Sequence, residues 1–162
     1  DKWTQKKKLN QPDFLPVNSA IQAVPTLFVG GVVYCTFKAN PSNSCVTLWR
    51  NPIASFGIIE KLFNQSCCDA QSGMLTNTWL AISPLNPLPP NDSNPFAHLQ
   101  KYHLQTSLKV HDNATKHIIH MDELLCHCAW LEYNPHEVSH TISCRTRAVV
   151  LLDRGCEVGF KL

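Results

Sequence analysis

Apolar and polar side chains alternate most cleanly between Tyr102 and His111. Tyr102, Leu104, Thr106, Leu108 and Val110 share one phase, while His103, Gln105, Ser107, Lys109 and His111 share the other. A period of two sends successive side chains to opposite faces, so this stretch predicts a half-buried strand. Ile142, Cys144, Thr146, Ala148, Val150 and Leu152 repeat the pattern, with Arg145 and Arg147 in the opposite phase. After Asp153-Arg154-Gly155 the alternation resumes at Cys156, Val158, Phe160 and Leu162. That predicts a hairpin with a three-residue loop and Gly155 at the left-handed position. Lys116–Met121 and Leu124–Tyr133 predict two further strands.

The first half alternates less regularly. Thr26–Phe37 is rich in β-branched and aromatic residues and predicts a strand, within which Gly30-Gly31 suggests a bulge or a close backbone approach. Lys38–Asn43 is turn chemistry, and Cys45–Arg50 predicts the returning strand. Asn51-Pro52 then reads as an N-cap followed by proline at the first helical position. Ile53, Phe56, Ile59 (or Ile58), Leu62 and Phe63 recur at helical spacing, which predicts one helix that fades near Asn64. Met74–Ile82 is ambiguous, strand by its Thr and Trp content. Ser83–Phe96 carries five prolines and predicts a long Pro/Asn-rich loop.

Together these elements predict a mainly β fold. The expectation is an antiparallel, sandwich-like domain over 26–162 with one short helix (about 52–63), held by disulfides. An extended, basic, Pro-containing lead-in over 1–25 precedes it. At 162 residues the chain is within the size of a single domain, and no repeat at a fixed period is present.

Eight cysteines, at 35, 45, 67, 68, 126, 128, 144 and 156, change this picture most. An even, dense set means disulfides in an oxidising compartment and metal ligation in a reducing one. Cys35 and Cys45 flank the predicted turn, so a bridge between them is expected. Adjacent Cys67 and Cys68 are expected to take different partners. Within the C-terminal hairpin Cys144 and Cys156 stand roughly 20 Å apart, too far to bond each other. The metal alternative draws on Cys126, Cys128, His136 and His140, with His117 and His120 nearby. A zinc finger wants about two to four residues between its cysteines and about twelve before the first histidine; here the gaps are one and seven.

Three N-glycosylation sequons begin at Asn64, Asn91 and Asn113. Asn91 falls in the Pro/Asn loop and Asn113 in an expected turn, both places that would accept a glycan. A formal net charge of +2 argues against nucleic acid or an anionic membrane as the main partner. Lys2 and Lys6-Lys7-Lys8 read as a solvated terminal segment. No stretch reaches the roughly 18 apolar residues of a membrane-spanning helix. No signal peptide opens the chain, so a secreted protein would be in trimmed form, and Gly159–Leu162 stops inside a strand-like pattern.

Catalytic signatures are lacking. There is no Gly-x-Ser-x-Gly, and neither glycine-rich phosphate loop occurs. Asp122-Glu123 is the lone adjacent acidic pair and reads as a turn. A Cys–His nucleophile between His98 and Cys144 conflicts with an oxidised set of thiols. His117, His120, His127, His136 and His140 could protonate together in an acidic compartment and shift an interface. The functional expectation is a non-enzymatic extracellular or luminal glycoprotein domain, a secreted factor or the ectodomain of a membrane or viral surface protein. It would bind a protein partner (a receptor or co-subunit), no nucleic acid and no cofactor, and reach a membrane only through a segment outside this chain. The alternatives are an intracellular zinc-stabilised regulatory domain and a small lipid-binding carrier.

Overall fold

The computed structural model describes residues 21–48, 55–69, 73–102 and 106–152. Within them the chain is mainly β, every strand pairing is antiparallel, and no helix reaches seven residues. The strands in chain order are β1 (Ile21–Ala23), β2 (Thr26–Val29), β3 (Val32–Cys35), β4 (Cys45–Leu48), β5 (Ser55–Asp69), β6 (Gly73–Pro87), β7 (Thr106–His111), β8 (His117–His120), β9 (Leu124–Tyr133) and β10 (Thr146–Leu151). Short 3-10 turns occupy Pro41–Asn43, Ala97–Tyr102 and Met121–Glu123.

The pairings close on themselves. β4 pairs with β5 and β9, β9 with β10, β10 with β7, β7 with β6, and β6 returns to β5. Six strands thus form a closed ring, which leaves none of their edges unpaired around the circuit. β5 and β6 run on past the ring as a long hairpin arm. β1 pairs with the β5 side of that arm and β8 with the β6 side. The β2–β3 hairpin is a separate two-stranded sheet.

Two packing layers follow from strand alternation. One cluster takes Cys45 from β4, Ile58 from β5, Leu85 from β6, Cys128 from β9 and Val149 from β10, with Phe37, Phe56, Trp130 and Leu151 against it. Residues from five strands meet there, so this face is the inside of the ring. The other cluster takes Val46 and Leu48 of β4, Ile59 and Leu62 of β5, Leu80 and Ile82 of β6, and Ile119 of β8. Tyr34 of β3, with Leu27 and Val29 of β2, covers it. β4 is therefore buried on both faces along its whole length. A smaller cluster of Leu108, Ile142 and Ala148 lies outside β7 and β10.

Several expectations change. There is no helix over 55–63: Phe56, Ile58, Ile59, Leu62 and Phe63 all lie in β5. The Asn51-Pro52 cap and Ile53 lie outside the described residues. The register of β5 on β6 shifts between Ile59 and Lys61, so Glu60 is an extra residue in the ladder. That bulge carries Ile59 and Leu62 to the same face three residues apart, imitating a helical step. Gly30-Gly31 is no bulge inside one strand. Both glycines have positive φ (56° and 79°) and form the two-residue turn between β2 and β3, where Phe28 faces Val33. Turns of this kind need the left-handed region at both central positions, which glycine alone enters freely.

The Pro/Asn loop begins later than expected, because Ser83–Pro87 continues β6. Pro84 is tolerated at a junction. Its β5 partner is Gly57, while on the opposite edge β8 pairs only up to Ile82 and β7 begins at Leu85. The Pro84 carbonyl accepts from the Asp112 N–H at 3.1 Å on that edge, so the missing proline N–H faces the gap between two strands. The alternating segments at 116–121 and 124–133 become β8 and β9, and Thr106–His111 becomes β7. Residues 97–102 form a 3-10 turn, so Tyr102 precedes the strand. β10 starts only at Thr146, with Ile142 and Cys144 in the preceding turns. The three-residue loop and the returning strand at Cys156–Leu162 lie outside the described residues, as does the lead-in up to residue 20.

Candidate functional site

Two buried thiols and a buried arginine lie inside the ring. The β4–β9 register matches Val46 with His127 and Thr47 with Cys126, so one step earlier Cys45 stands opposite Cys128. Both are fully buried. The Thr47 hydroxyl and the Cys128 sulfur are hydrogen-bonded at 2.9 Å. Cys45 also hydrogen-bonds Cys128, and this bond, reinforced by burial, pushes the Cys45 thiol pKa up. The same bond, with the one from Thr47, favours charge on Cys128 and draws its pKa down against the cost of burial. A nucleophile must meet its substrate. This pair meets only other core atoms.

A polar ladder lies beside it. Arg147 of β10 stands opposite Glu132 of β9. Its Nε and Nη2 both donate to Glu132 Oε2, at 2.9 and 2.8 Å, and Arg145 Nη1 approaches Oε1 at 3.5 Å. The Arg147 guanidinium is 4.7 Å from the Trp130 ring centroid and 5.5 Å from that of Phe37. Trp130 is itself held by its Nε1–H donating to the Pro41 carbonyl at 3.2 Å. Although charged, Arg147 is only 6% exposed; delocalised charge and a flat stacking surface suit arginine to that position. His111 of β7 lies near this group. Burial first, then Arg147, lowers its pKa below the ordinary 6.5.

A third group clamps β5 to β6 and to the approach of β8. The Ser83 hydroxyl donates to Glu60 Oε1 at 2.9 Å and accepts from Lys116 Nζ, and Lys116 pairs with Glu60 at 3.4 Å. Serine next to lysine can be a catalytic dyad when the lysine is a free base and the hydroxyl meets solvent. Ser83 is fully buried and Lys116 is ion-paired, so the trio ties strands together. Two grooves remain. One of about 320 Å³ is lined by Ile21, Val24, Thr36, Leu62 and Phe63, and one of about 280 Å³ by Leu48, Phe56, Leu85, Lys109 and His117. Burial lowers the pKa of Lys109, whose ammonium sits 5.3 Å from the Phe56 ring centroid.

The sites expected from sequence fall as follows. Asn91 and Asn113 are exposed, in a turn and a bend. The Asn113 bend is built by Asp112, whose carboxylate accepts the Thr115 hydroxyl at 2.7 Å and the Ala114 and Thr115 N–H groups. These bonds, the Thr115 hydroxyl first, hold its pKa below the usual carboxylate range. Asn64 is half-buried in β5, its side-chain oxygen accepting from the Thr78 hydroxyl at 2.9 Å. Among the described residues no disulfide is present. The expected Cys35–Cys45 bridge is not formed here: both are free, buried thiols, Cys35 opposite Thr26 on β3 and Cys45 on β4 of the other sheet. Cys126 and Cys128 lie on β9, Cys144 in the turns before β10, and Cys67 and Cys68 opposite Leu75 and Met74 in the β5–β6 ladder. Cys156 lies outside the described residues.

The zinc candidates do not converge. His136 and His140 share one exposed turn, His136 Nδ1 lying 2.9 Å from the His140 carbonyl. That turn follows the C-terminal end of β9, roughly 17 Å of strand beyond Cys128. Among the described residues no group of three or more His, Cys, Asp or Glu is placed to hold a metal ion. The five histidines are likewise dispersed. His120 pairs with Asp122 and stacks edge-on against Trp79, His127 packs on Tyr34, and His117 lines the second groove. Asp122-Glu123 forms a 3-10 turn whose capping box uses Glu123. Sequence reasoning missed the Arg147–Glu132 ladder, the Glu60–Ser83–Lys116 clamp and His111. Two arginines in the polar phase of an otherwise apolar strand were the available signal. No protein-family model, curated protein or solved structure matches the chain.

Proposed function

We propose that this chain is a non-enzymatic glycoprotein domain of the extracellular or luminal space that binds a protein partner. The observation that carries the reading is the exposure of Asn91 and Asn113 on turns, where an oligosaccharide would meet no neighbouring chain. The interior chemistry is consistent with it, since Cys45 and Cys128 are buried in the core and Arg147 is paired with Glu132. For the partner, the outward face of the β2–β3 hairpin is the natural contact. Phe28 is 70% exposed there beside its cross-strand neighbour Val33, and neither sequon lies on that hairpin.

The test is to pass the chain through a eukaryotic secretory pathway behind a heterologous leader. Peptide:N-glycosidase treatment in heavy-oxygen water then marks each asparagine that carried a glycan. Label at Asn91 and Asn113 is the expected result, and efficient export with both unmodified would overturn the glycoprotein reading. Binding of the exported domain to cell surfaces, weakened by Phe28→Asp without a change in Tm, is the expected sign of the protein contact. Equal binding by the variant removes the hairpin from it.

A further inference from the structure

We propose that Cys45 and Cys128 are joined by a disulfide that locks β4 to β9 across the ring; the inference rests on the extracytoplasmic reading above. The warrant is geometric. Antiparallel partners directly opposite each other hold their Cα atoms about 4.5–5.5 Å apart, inside the roughly 4.4–6.8 Å that a disulfide spans. Cys45 and Cys128 become such partners when the β4–β9 register is continued one step from Val46 and His127, their side chains share the interior cluster, and the Thr47 hydroxyl on the same face of β4 reaches the Cys128 sulfur at 2.9 Å. Cys35, by contrast, is held in another sheet, and Thr47 occupies the place opposite Cys126.

The chemistry balances as thiol–disulfide exchange with an oxidant of the disulfide class, such as oxidised glutathione or a disulfide oxidoreductase. One thiol, for instance that of Cys128, loses its proton and attacks the donor disulfide, releasing one donor thiol and forming a mixed disulfide. The Cys45 thiol loses its proton, attacks the Cys128 sulfur and expels the second donor thiol. Two protein thiols are oxidised and one donor disulfide is reduced. Both sulfurs are fully buried in the finished ring, so exchange takes place before β4 docks on β9. Once made, the bond is shielded from reductant while the domain stays folded.

Thiols of the exported protein are blocked before digestion, and the non-reduced peptides are mapped. Trypsin isolates Cys45 alone on residues 39–50, and cleavage after glutamate isolates Cys126 and Cys128 on 124–132. The expected result is a link between these two peptides that persists in Cys126→Ser, resists dithiothreitol under native conditions and opens in denaturant. A parallel arm refolds the reduced chain in a glutathione buffer, which tests the pairing without the compartment. Alkylated Cys45 in a protein glycosylated at Asn91 and Asn113 overturns the pairing and leaves the compartment standing. A link formed in glutathione together with absent glycans does the reverse. Failure to link in both arms overturns the pairing outright. Cys45→Ala, Cys128→Ala and the double variant are each expected to lower Tm by roughly 10 °C, with the double no worse than the singles, because each removes the same bond. Additive losses would mean two independent thiols.

Discussion

The two faces of β4 lie a few ångströms apart and are stabilised in different ways. Val46 and Leu48 enter a mainly aliphatic layer of Ile59, Leu62, Leu80, Ile82 and Ile119, closed by Tyr34, against which His127 packs. Cys45 and Thr47 enter the ring interior, where apolar side chains alternate with a stacked arginine, a carboxylate, a histidine and two thiols. The first layer is held by burial, which has no direction and tolerates any well-shaped filling. The second is held by pairings that are correct or costly, since a buried charge without its partner is expensive. A single strand therefore couples a forgiving face to an exacting one. Substitutions on its two sides should fail in recognisably different ways.

The largest effect is expected in the apolar layer. Leu80→Ala removes a fully buried side chain and should cost about 2–5 kcal/mol in denaturant unfolding. Leu80→Met, which keeps volume, should cost under about 1.5 kcal/mol. On the exacting face, Arg147→Ala leaves Glu132 without its principal partner and should cost about 3 kcal/mol, the low end for such pairs, because Glu132 keeps some solvent contact. The comparison sharpens with Arg147→Met combined with Glu132→Met. If that double variant recovers most of the loss, the ladder specifies the arrangement of β9 and β10 more than it stabilises it. If the loss stays complete, the stacked guanidinium between Trp130 and Phe37 is itself stabilising.

A smaller effect is expected where the two layers touch. Gly57 faces Val46 on one side and Pro84 on the other, and a Cβ there would collide with the Ile82 side chain and crowd the Ser83 carbonyl at 3.2 Å. Gly57→Ala should destabilise by about 1–3 kcal/mol through overpacking. Gly57→Ala combined with Ile82→Val should recover part of it. Additive losses in that pair would mean that the backbone, not Ile82, sets the limit.

What the sequence makes legible follows the same division. β7, β8 and β9 are readable because each has a face whose side chains alternate with more exposed ones, and period two survives. β4, buried on both sides, gives a short apolar run with no phase. β5 misleads for a definite reason: Glu60 interrupts the ladder, and Ile59 and Leu62 regain a common face at a spacing of three. Pro84 conceals the end of β6, because a proline reads as a break unless the neighbouring strands are known to change over beside it. The interior site was hidden more deeply. Arg147 sits in the polar phase of its strand, and only closure of the ring turns that phase inward. The pairing of Cys45 with Cys128 likewise depends on β4 lying beside β9, a contact across more than half the chain.

His111 allows the exacting face to be weakened without cutting anything. Its imidazole is held below the ordinary 6.5 chiefly by burial and secondarily by the Arg147 charge, so the folded domain binds this proton less readily than the unfolded chain. The sign follows from linkage. Above about pH 6.5 both states are neutral at His111 and the group does not affect the balance. As pH falls below 6.5 the unfolded chain takes up the proton first, and stability declines until the folded-state pKa is passed. The informative quantity is a difference between proteins. His111→Phe, which keeps an aromatic ring in place and cannot titrate, should lose fewer degrees of Tm between pH 7.5 and 5 than the parent. Leu80→Ala, altering only the apolar layer, should show the parent's pH slope at a lower Tm. Parallel curves for His111→Phe and the parent would mean that acid acts elsewhere and that the interior charges are already screened. A flattened slope in His111→Phe, beside an unchanged one in Leu80→Ala, would identify the inner face of the ring as the pH-sensitive side of β4's two layers.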